Sequence, residues 1–139
     1  MKKLTLLIFS SLLFLSFSIF SIENTNAIKV TKLIETDSSW EKTKIIYPQG
    51  VTKLTALLVE MEPYAKMHLH HHEVPSFGYI LEGQIIVESN TGDKKTFNKG
   101  DVVIEMVNKK HSGFNPGNTI TKFIVFYMGT EDLKNTISD

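Results

Sequence analysis

The five histidines of this chain fall in two short segments, and their type and spacing are those of a metal site. Four lie within the run His68–His72, which Leu69 interrupts, and His111 follows farther along the chain. Positions i, i+2 and i+4 of a β-strand point to one face, so His68, His70 and His72 are expected to project together. Neutral imidazoles are good ligands for transition metals. The pattern therefore predicts a transition-metal site, if the fold supplies a container.

The composition limits the class of protein. The chain has 139 residues, with 15 basic side chains, all of them lysine, balanced by 15 acidic ones. This length suits one small domain, and a balanced charge without a basic stripe argues against a nucleic-acid partner. The chain has no cysteine. That excludes disulfides, thiolate metal sites, a cysteine nucleophile and lipid attachment to cysteine.

The N-terminus has the pattern of a secretory signal peptide over residues 1–27. Lys2 and Lys3 precede an uncharged, apolar run over residues 4–22, and a polar stretch then ends at Ala27. We expect cleavage after Ala27, which leaves a secreted or periplasmic mature chain that has no membrane partner. An uncleaved membrane anchor is the alternative, because the run is about long enough to span a bilayer, roughly 18 to 20 residues.

Strands must position the histidines, because the mature sequence has almost no helical periodicity. Alternating segments separated by turn residues predict strands at 44–47, 52–61, 67–72, 76–81, 84–88, 94–97, 102–107, 109–114 and 119–128. Many short strands favour an all-β sandwich or barrel, which protects its sheet edges and encloses a cavity. We predict an N-terminal extension with the first strand over residues 28–51, a barrel over 52–130, and a tail over 131–139 with one or two helical turns.

The order of these segments resembles that of a small, secreted, single-domain cupin of the type-2 conserved barrel family. The first cupin signature is Gly, five residues, His-x-His, three or four residues, Glu, six residues, Gly. When Gly83 is its last residue, His70 and His72 form the histidine pair. Ser76 then stands at the glutamate position and Tyr64 at the position of the leading glycine.

The second cupin signature is Gly, five residues, Pro-x-Gly, two residues, His, three residues, Asn. Gly100, His111 and Asn115 match its spacing, while Met106 and Asn108 stand at the proline and glycine positions. The resemblance covers residues 52–128. It implies an all-β double-stranded β-helix, or jelly roll, that holds a divalent transition metal such as Zn, Fe, Mn, Ni or Cu.

The resemblance implies that His70, His72 and His111 are metal ligands, usually joined by a glutamate. Ser76 is a poor replacement for that glutamate, because a hydroxyl is a weak ligand for a divalent ion. Glu105 is the candidate substitute, either as a ligand or as a base beside the metal, and the alternative is that it lies at a sheet edge in water. It lies in an otherwise apolar segment, where an acid is costly to bury without a partner.

Alternatives remain open at this site. His68 shares a face with His70, so these two could form the ligand pair in place of His70 and His72, and otherwise His68 is expected near the barrel mouth. Glu73 is a weaker candidate acid that is expected on the rim. His71 has the opposite parity and is expected on the solvated surface. The whole cluster could also be an incidental patch on a barrel without metal.

Other residues have expected structural roles. Trp40 is expected to cap the barrel or to support a dimer contact, and Asn115 to fix the loop after the last histidine. The apolar run over residues 123–128 favours a strand that is buried on both faces, packed on another sheet or on a second subunit of a homodimer. Further candidates for the pocket lining are Tyr64, Tyr79, Gln84 and Tyr127.

The function that the resemblance implies is metal-assisted chemistry on a small oxygen-rich molecule, of the dioxygenase, isomerase or decarboxylase kind. Loss of the family glutamate tells against dioxygenases that depend on it. The alternatives are a barrel that binds or senses a metal or small ligand without turnover, and a structural cupin without metal. The fold does not choose among these functions.

Overall fold

The computed structural model describes residues 28–138, and the predicted signal segment lies outside them. The chain divides after Thr31 into two units, and the architecture given below is that of the second unit, Lys32–Asp139. Within the described residues, no helix is long and apolar enough to cross a membrane.

Strands joined by turns make up the second unit, and its described residues contain no helix. The strands are β1 (Thr52–Met61), β2 (His70–His71), β3 (Ser76–Glu82), β4 (Gln84–Ser89), β5 (Lys94–Asn98), β6 (Val102–Ile104), β7 (His111–Phe114), β8 (Thr121–Thr130) and β9 (Ile137–Ser138). The all-β fold that the alternating segments predict is therefore confirmed.

The strands form two antiparallel sheets around a shared core. One sheet has the order β1-β8-β3-β6 and the other the order β5-β4-β7-β2-β9. Along β8, Phe123, Val125 and Tyr127 are buried, whereas Phe126 is 37% exposed. The second sheet therefore buries only the inner face of this strand, and burial of its outer face by a second subunit stays a prediction.

The predicted first strand over residues 44–47 does not form. Lys44 makes only an isolated bridge with Ser38, and Ile46 and Tyr47 are 77% and 66% exposed. Neighbouring strands and burial stabilise a strand more than its local sequence does. The apolar residues of this segment are exposed, so forming a strand here would bury little apolar surface.

The C-terminal tail has no helical turn and ends instead in β9. This strand pairs with β2, with His70 opposite Ser138 and His71 opposite Ile137. The local sequence of the tail shows no strand alternation that would predict this. The free edge of β2 supplies the hydrogen-bond partners, so a tertiary contact overrides a weak local preference.

Four positions of the two cupin signatures share an unusual backbone conformation. Gly83 and Gly100 have φ values of 72° and 94°. Tyr64 and Asn108, which stand at the two glycine positions without glycine, have φ values of 62° and 56°. This left-handed region favours glycine, tolerates asparagine and strains tyrosine. The turns thus keep the conformation of the signatures where the glycine is lost, which supports the predicted register of the histidines.

Candidate metal centre

Adjacent strands of the five-stranded sheet bring three histidines together. His70 in β2 lies directly opposite His111 in β7, and His72 follows β2 in a bridge with Val107. The centroids of the three imidazole rings are 4.5 to 5.1 Å apart. One ring nitrogen from each histidine lies within 4.8 Å of the other two. The three side chains are thus positioned to hold one metal ion.

A backbone carbonyl orients each of the three rings. The Nδ1 atom of His70 lies 2.8 Å from the oxygen of His68, that of His72 2.8 Å from the oxygen of Asn135, and that of His111 2.9 Å from the oxygen of Lys109. A carbonyl only accepts hydrogen bonds, so each Nδ1 must carry the proton. The lone pair then lies on Nε2, the tautomer that a metal ligand needs.

The surroundings of these rings keep them uncharged. His72 and His111 are buried, and His70 is half-buried. Burial lowers the pKa of all three imidazoles, and it lowers the pKa of His72 to about 3. Burial disfavours the charged form, and the neighbouring imidazoles oppose a second positive charge. At neutral pH the cluster is therefore neutral, and protons do not compete for the ligand atoms.

Glu105 lies beside the position at which the first signature has its glutamate. The backbone N–H of Glu105 donates to the oxygen of Ser76 at 3.0 Å, so the two residues are neighbours on adjacent strands. The carboxylate Oε2 of Glu105 is 3.5 Å from Nε2 of His111. Ser76 is small, and the side chain of Glu105 extends into the same cavity that the histidines line.

The carboxylate of Glu105 has no hydrogen-bond partner for its buried Oε2, and neither has Nε2 of His111. Burial raises the pKa of Glu105 to about 7, while the nearby imidazole of His70 acts in the opposite direction. Two orphaned polar atoms that face each other cost free energy unless something binds both. Three neutral imidazoles and one carboxylate are donors that divalent transition metals accept. The residues present therefore fit the ion that the signatures imply.

The cavity in front of the cluster is small and mainly apolar. Its volume is about 70 Å³. Val103, Phe123 and Val125 are among the residues that line it, and Tyr127 lies at one side, with its ring centroid 5.4 Å from that of His72. Pockets for drug-sized ligands are several times larger, roughly 300 to 1,000 Å³. The space suits a ligand of few heavy atoms.

The other candidate ligands, His68, Glu73 and Ser76, do not line the cavity. His68 is exposed, and its role at the site is the backbone oxygen that orients His70. Ser76 is buried, and its hydroxyl has no partner. Glu73 lies outside the histidine cluster, where it accepts a hydrogen bond from the backbone N–H of Lys134 at 2.7 Å.

His71 differs from its expected place on the solvated surface. It is half-buried, and its Nδ1 atom is buried without a partner. Ile137 of β9 pairs with it across the sheet. The added strand pairs with the second edge of β2, and sequence parity alone does not reveal this neighbour.

Two residues outside the cluster support the loops around it. The buried Asn115 donates from Nδ2 to the oxygens of Met61, Glu62 and Thr119, and its Oδ1 accepts from Gly117. It thereby fixes the loop after β7, as its position predicts. Trp40 packs against the core as a partial cap. Tyr127 lines the cavity with the histidines, whereas Tyr64 is 63% exposed.

Two residues of the tail belong to the site and have no signal in the sequence. Asn135 supplies the carbonyl that orients His72, and the hydroxyl of Thr136 lies 3.3 Å from the same Nδ1 atom. They are 63 and 64 residues away from His72 along the chain. A backbone carbonyl can come from any residue type, so composition and spacing could not identify it.

Comparison with known proteins identifies a family for this chain and solved structures of similar fold. Residues 57–127 match the family model described as Cupin domain. No curated protein matches the sequence. Among solved structures, the fold is similar to that of an uncharacterised conserved protein with a double-stranded β-helix domain from Klebsiella pneumoniae, with 12% identity and a TM-score of 0.55 over 68% of this chain and 80% of that one.

Two enzymes are similar in fold. One is the oxalate decarboxylase of Lactobacillus farciminis, with 23% identity and a TM-score of 0.54 over 61% of this chain and 26% of that one. The other is the DMSP lyase DddQ of Ruegeria pomeroyi, with 18% identity and a TM-score of 0.53 over 61% of this chain and 42% of that one. The match thus covers less than half of either enzyme. At these identities the likeness shows the double-stranded β-helix fold and no shared activity.

Proposed function

The chain belongs to the cupin domain family, and we propose that it binds a divalent transition metal through His70, His72 and His111, with Glu105 as the fourth ligand. The observation that carries this proposal is the pair of orphaned atoms at the centre of the site. Nε2 of His111 and Oε2 of Glu105 are buried, face each other at 3.5 Å and have no hydrogen-bond partner. A cation between the three imidazoles and this carboxylate would satisfy both atoms.

We propose that Glu105 replaces the family glutamate from the neighbouring strand. Ser76 occupies the glutamate position, and the backbone hydrogen bond between Glu105 and Ser76 places the two residues side by side. Directly opposed residues on adjacent strands project to the same face of a sheet. A carboxylate on Glu105 therefore reaches the same cavity that a carboxylate on Ser76 would reach, while the small serine leaves room for it.

A divalent metal bound in such a site polarises an oxygen atom of a ligand and lowers the pKa of a bound water. The chain contributes a small cavity with apolar walls, which excludes bulk water from around the ligand. None of the described lysines lines the cavity, so negative charge on a ligand has no cationic side chain to meet it. In the metal-free protein, burial raises the pKa of Glu105 to about 7, so near neutral pH its carboxyl group can give up its proton when an ion binds.

We therefore propose metal-assisted chemistry on a small oxygen-bearing molecule in this cavity. The second candidate is a barrel that holds the metal or the small ligand without turnover. The small size of the cavity is compatible with catalysis and with binding alone. Turnover of a panel of small oxygen-rich acids, enols and diketones by the metal-loaded protein separates them. Tight binding of such a molecule without product would favour the second candidate.

The metal proposal is tested on the full-length chain, expressed without a metal-affinity tag. Elemental analysis of the purified protein is expected to find close to one divalent transition metal ion per chain. Protein that has been stripped with a chelator should take up Zn²⁺ or Co²⁺ to the same level. If the protein holds no metal after this reconstitution, although it remains folded, the proposal is overturned.

We also propose that the mature chain is exported. The apolar run over residues 4–22 and the polar stretch that ends at Ala27 support this proposal. Intact-mass analysis of the protein recovered from the periplasm or the medium is expected to show a chain that begins at Ile28. A full-length chain retained in the membrane fraction would contradict it and would favour the anchor.

The outer face of the four-stranded sheet supports the proposal of a homodimer. Leu54 and Leu58 of the edge strand β1 are 65% and 61% exposed, and on the same face Phe77 stacks on Phe126 with ring centroids 5.1 Å apart. The outer edge of β1 pairs with no strand among residues 28–138, and an exposed apolar patch beside such an edge is a surface on which a second copy can dock. Light scattering should give the mass of a dimer, and Leu58→Glu should give that of a monomer. A monomeric wild-type protein at high concentration would contradict it.

A further inference from the structure

The segment after the last barrel strand, residues 131–138, crosses the edge of the histidine cluster, and we call it the C-terminal strap. Its strand β9 pairs with β2, which carries His70. In the five-stranded sheet, β2 therefore lies between β7 on one side and the strap on the other. The ligand strand β2, which is only two residues long, has no other neighbour in this sheet to hold its second edge.

The strap orients one histidine of the three. Nδ1 of His72 donates to the carbonyl of Asn135 at 2.8 Å, with the hydroxyl of Thr136 at 3.3 Å from the same nitrogen. His70 and His111 donate instead to carbonyls two residues before them in their own segments. The orientation of those two rings is local, whereas that of His72 depends on a segment 63 residues away.

Apart from the pairing of β9 with β2 and a 3.4 Å contact between the hydroxyls of Thr136 and Tyr127, the strap is held by a few polar contacts. The carboxylate of Glu73 accepts from the backbone N–H of Lys134 at 2.7 Å, and the side-chain amide of Asn135 donates to the hydroxyl of Thr55 at 3.0 Å. Leu133 is the residue of the strap that packs against the core. Segments with few buried apolar contacts open at a lower free energy than the body of a domain. We therefore expect the strap to detach at a lower free energy than the barrel needs to unfold.

We infer that the C-terminal strap is a positioning element of the metal centre, and that its docking controls how firmly the ion is held. The inference rests on the proposed function. When the strap is docked, the Asn135 carbonyl keeps the proton of His72 on Nδ1 and the lone pair on Nε2. When it is detached, the ring of His72 loses this partner and its fixed orientation. Loss of such partners typically lowers metal affinity by about 10- to 100-fold.

The first test removes the strap beyond its core contact. A stop codon after Leu133 deletes residues 134–139 from the full-length chain and leaves Leu133 in place. Zn²⁺ is expected to dissociate into a chelator about 10 to 100 times faster than from the intact chain. Two further variants, Glu73→Ala and Thr55→Val, remove one anchor each and should give a smaller acceleration. Asp132→Asn, at an exposed position of the strap, is the matched control and should leave the rate unchanged.

The second test measures the tautomer without metal. In the metal-free intact protein, long-range ¹H–¹⁵N correlation spectra should show the proton of His72 on Nδ1. The truncated protein should show His72 with a mixed or Nε2-protonated ring, while His70 and His111 keep the proton on Nδ1. A change confined to His72 is not expected from a general loss of stability.

The outcomes separate the two proposals. If the intact protein binds no metal, the proposed function fails, and the tautomer of His72 alone decides whether the strap orients that ring. If metal binds and the truncation leaves both the dissociation rate and the tautomer unchanged, the strap proposal is overturned and the metal proposal stands. If the truncated chain does not fold, the dissociation rate of Zn²⁺ and the tautomer of His72 in Glu73→Ala and Thr55→Val test the strap proposal instead.

Discussion

The cavity has two walls that are built on different principles. On the histidine wall, formed by β2 and β7, each imidazole has its Nδ1 atom on a backbone carbonyl. On the acid wall, the Oε2 atom of Glu105, which follows β6 and lines the cavity, has no partner, and neither has the hydroxyl of Ser76 beside it on β3. One wall is organised before any ion arrives, and the other is completed only by an ion or a proton.

The histidine wall should therefore set the affinity for a metal ion, and the acid wall should adjust it. Ligands that are already oriented lose little entropy on binding, so the histidine wall should supply most of the affinity. The acid wall holds an unpaired carboxylate whose burial costs free energy in the metal-free protein. A metal relieves that cost, so the acid wall should add a smaller amount to affinity and a pH dependence.

The largest expected effect is the loss of a histidine ligand. His111→Ala removes one of three oriented donors and should weaken Zn²⁺ binding by more than about 100-fold, beyond the loss that is typical of an orienting partner. Competition with a chromogenic chelator measures it. His68→Ala is the matched control, because its side chain is exposed and only its backbone contacts His70. Equal loss in both variants would show that the wrong histidines have been assigned.

The next effect tests the acid wall. Glu105→Gln keeps the shape of the side chain but removes its charge, and should weaken Zn²⁺ binding by about 10-fold to 100-fold. The double variant Ser76→Glu with Glu105→Ser moves the carboxylate to the neighbouring strand and should recover part of the affinity. If Glu105→Gln binds Zn²⁺ as tightly as the wild type, the carboxylate is not a ligand and the acid wall contributes nothing to the affinity.

The pH dependence of the metal-free protein provides a third test. The folded protein keeps a proton on Glu105 up to a pKa of about 7, whereas the unfolded chain loses it near the usual value of 4.5. The contribution of this group to the free energy of unfolding is therefore full below pH 4.5 and is lost as the pH rises to 7, by roughly 3 kcal/mol. Between pH 4.5 and 7, the free energy of unfolding of Glu105→Gln should therefore rise by about that amount relative to the wild type.

The buried histidines make the free energy of unfolding change with pH in the opposite direction to Glu105. The pKa of His72 falls to about 3 in the folded protein from its usual 6.5, so the unfolded chain takes up a proton below pH 6.5 that the folded chain does not. The free energy of unfolding therefore falls as the pH drops from 6.5 towards 3. Urea titrations of both proteins across this range measure the two slopes. Parallel curves for wild type and Glu105→Gln would contradict the assignment of the acid.

The smallest expected effect is that of Ser76→Ala. The hydroxyl is buried and unpaired, so its removal should raise the free energy of unfolding by up to about 1 kcal/mol. Zn²⁺ affinity should stay within about twofold, because Glu105 supplies the oxygen ligand in this proposal. Thermal unfolding and chelator competition measure both quantities. A large loss of affinity would assign the hydroxyl a direct part in the site.

Much of the barrel was predictable from local sequence. The strand at 52–61 has the predicted bounds, because an alternating segment between turn residues needs no distant information to be recognised. The turn positions at Gly83 and Gly100 locate the signatures, since their backbone conformation is one that glycine favours. Residues 44–47 and the tail were predicted wrongly, because their structure depends on which neighbours they meet.

The all-β fold follows from the sequence, because strand alternation and turn conformation are local properties. The grouping of His70, His72 and His111 came instead from the resemblance to the cupin signatures, since strand parity alone puts His68, His70 and His72 on one face. The position of Glu105 beside Ser76 and the contact of the Asn135 carbonyl with His72 emerged only in the folded chain. Both facts depend on which strand edges pair across the fold. Nearly every residue type can form a backbone hydrogen bond, so no sequence pattern predicts which distant segments will share one.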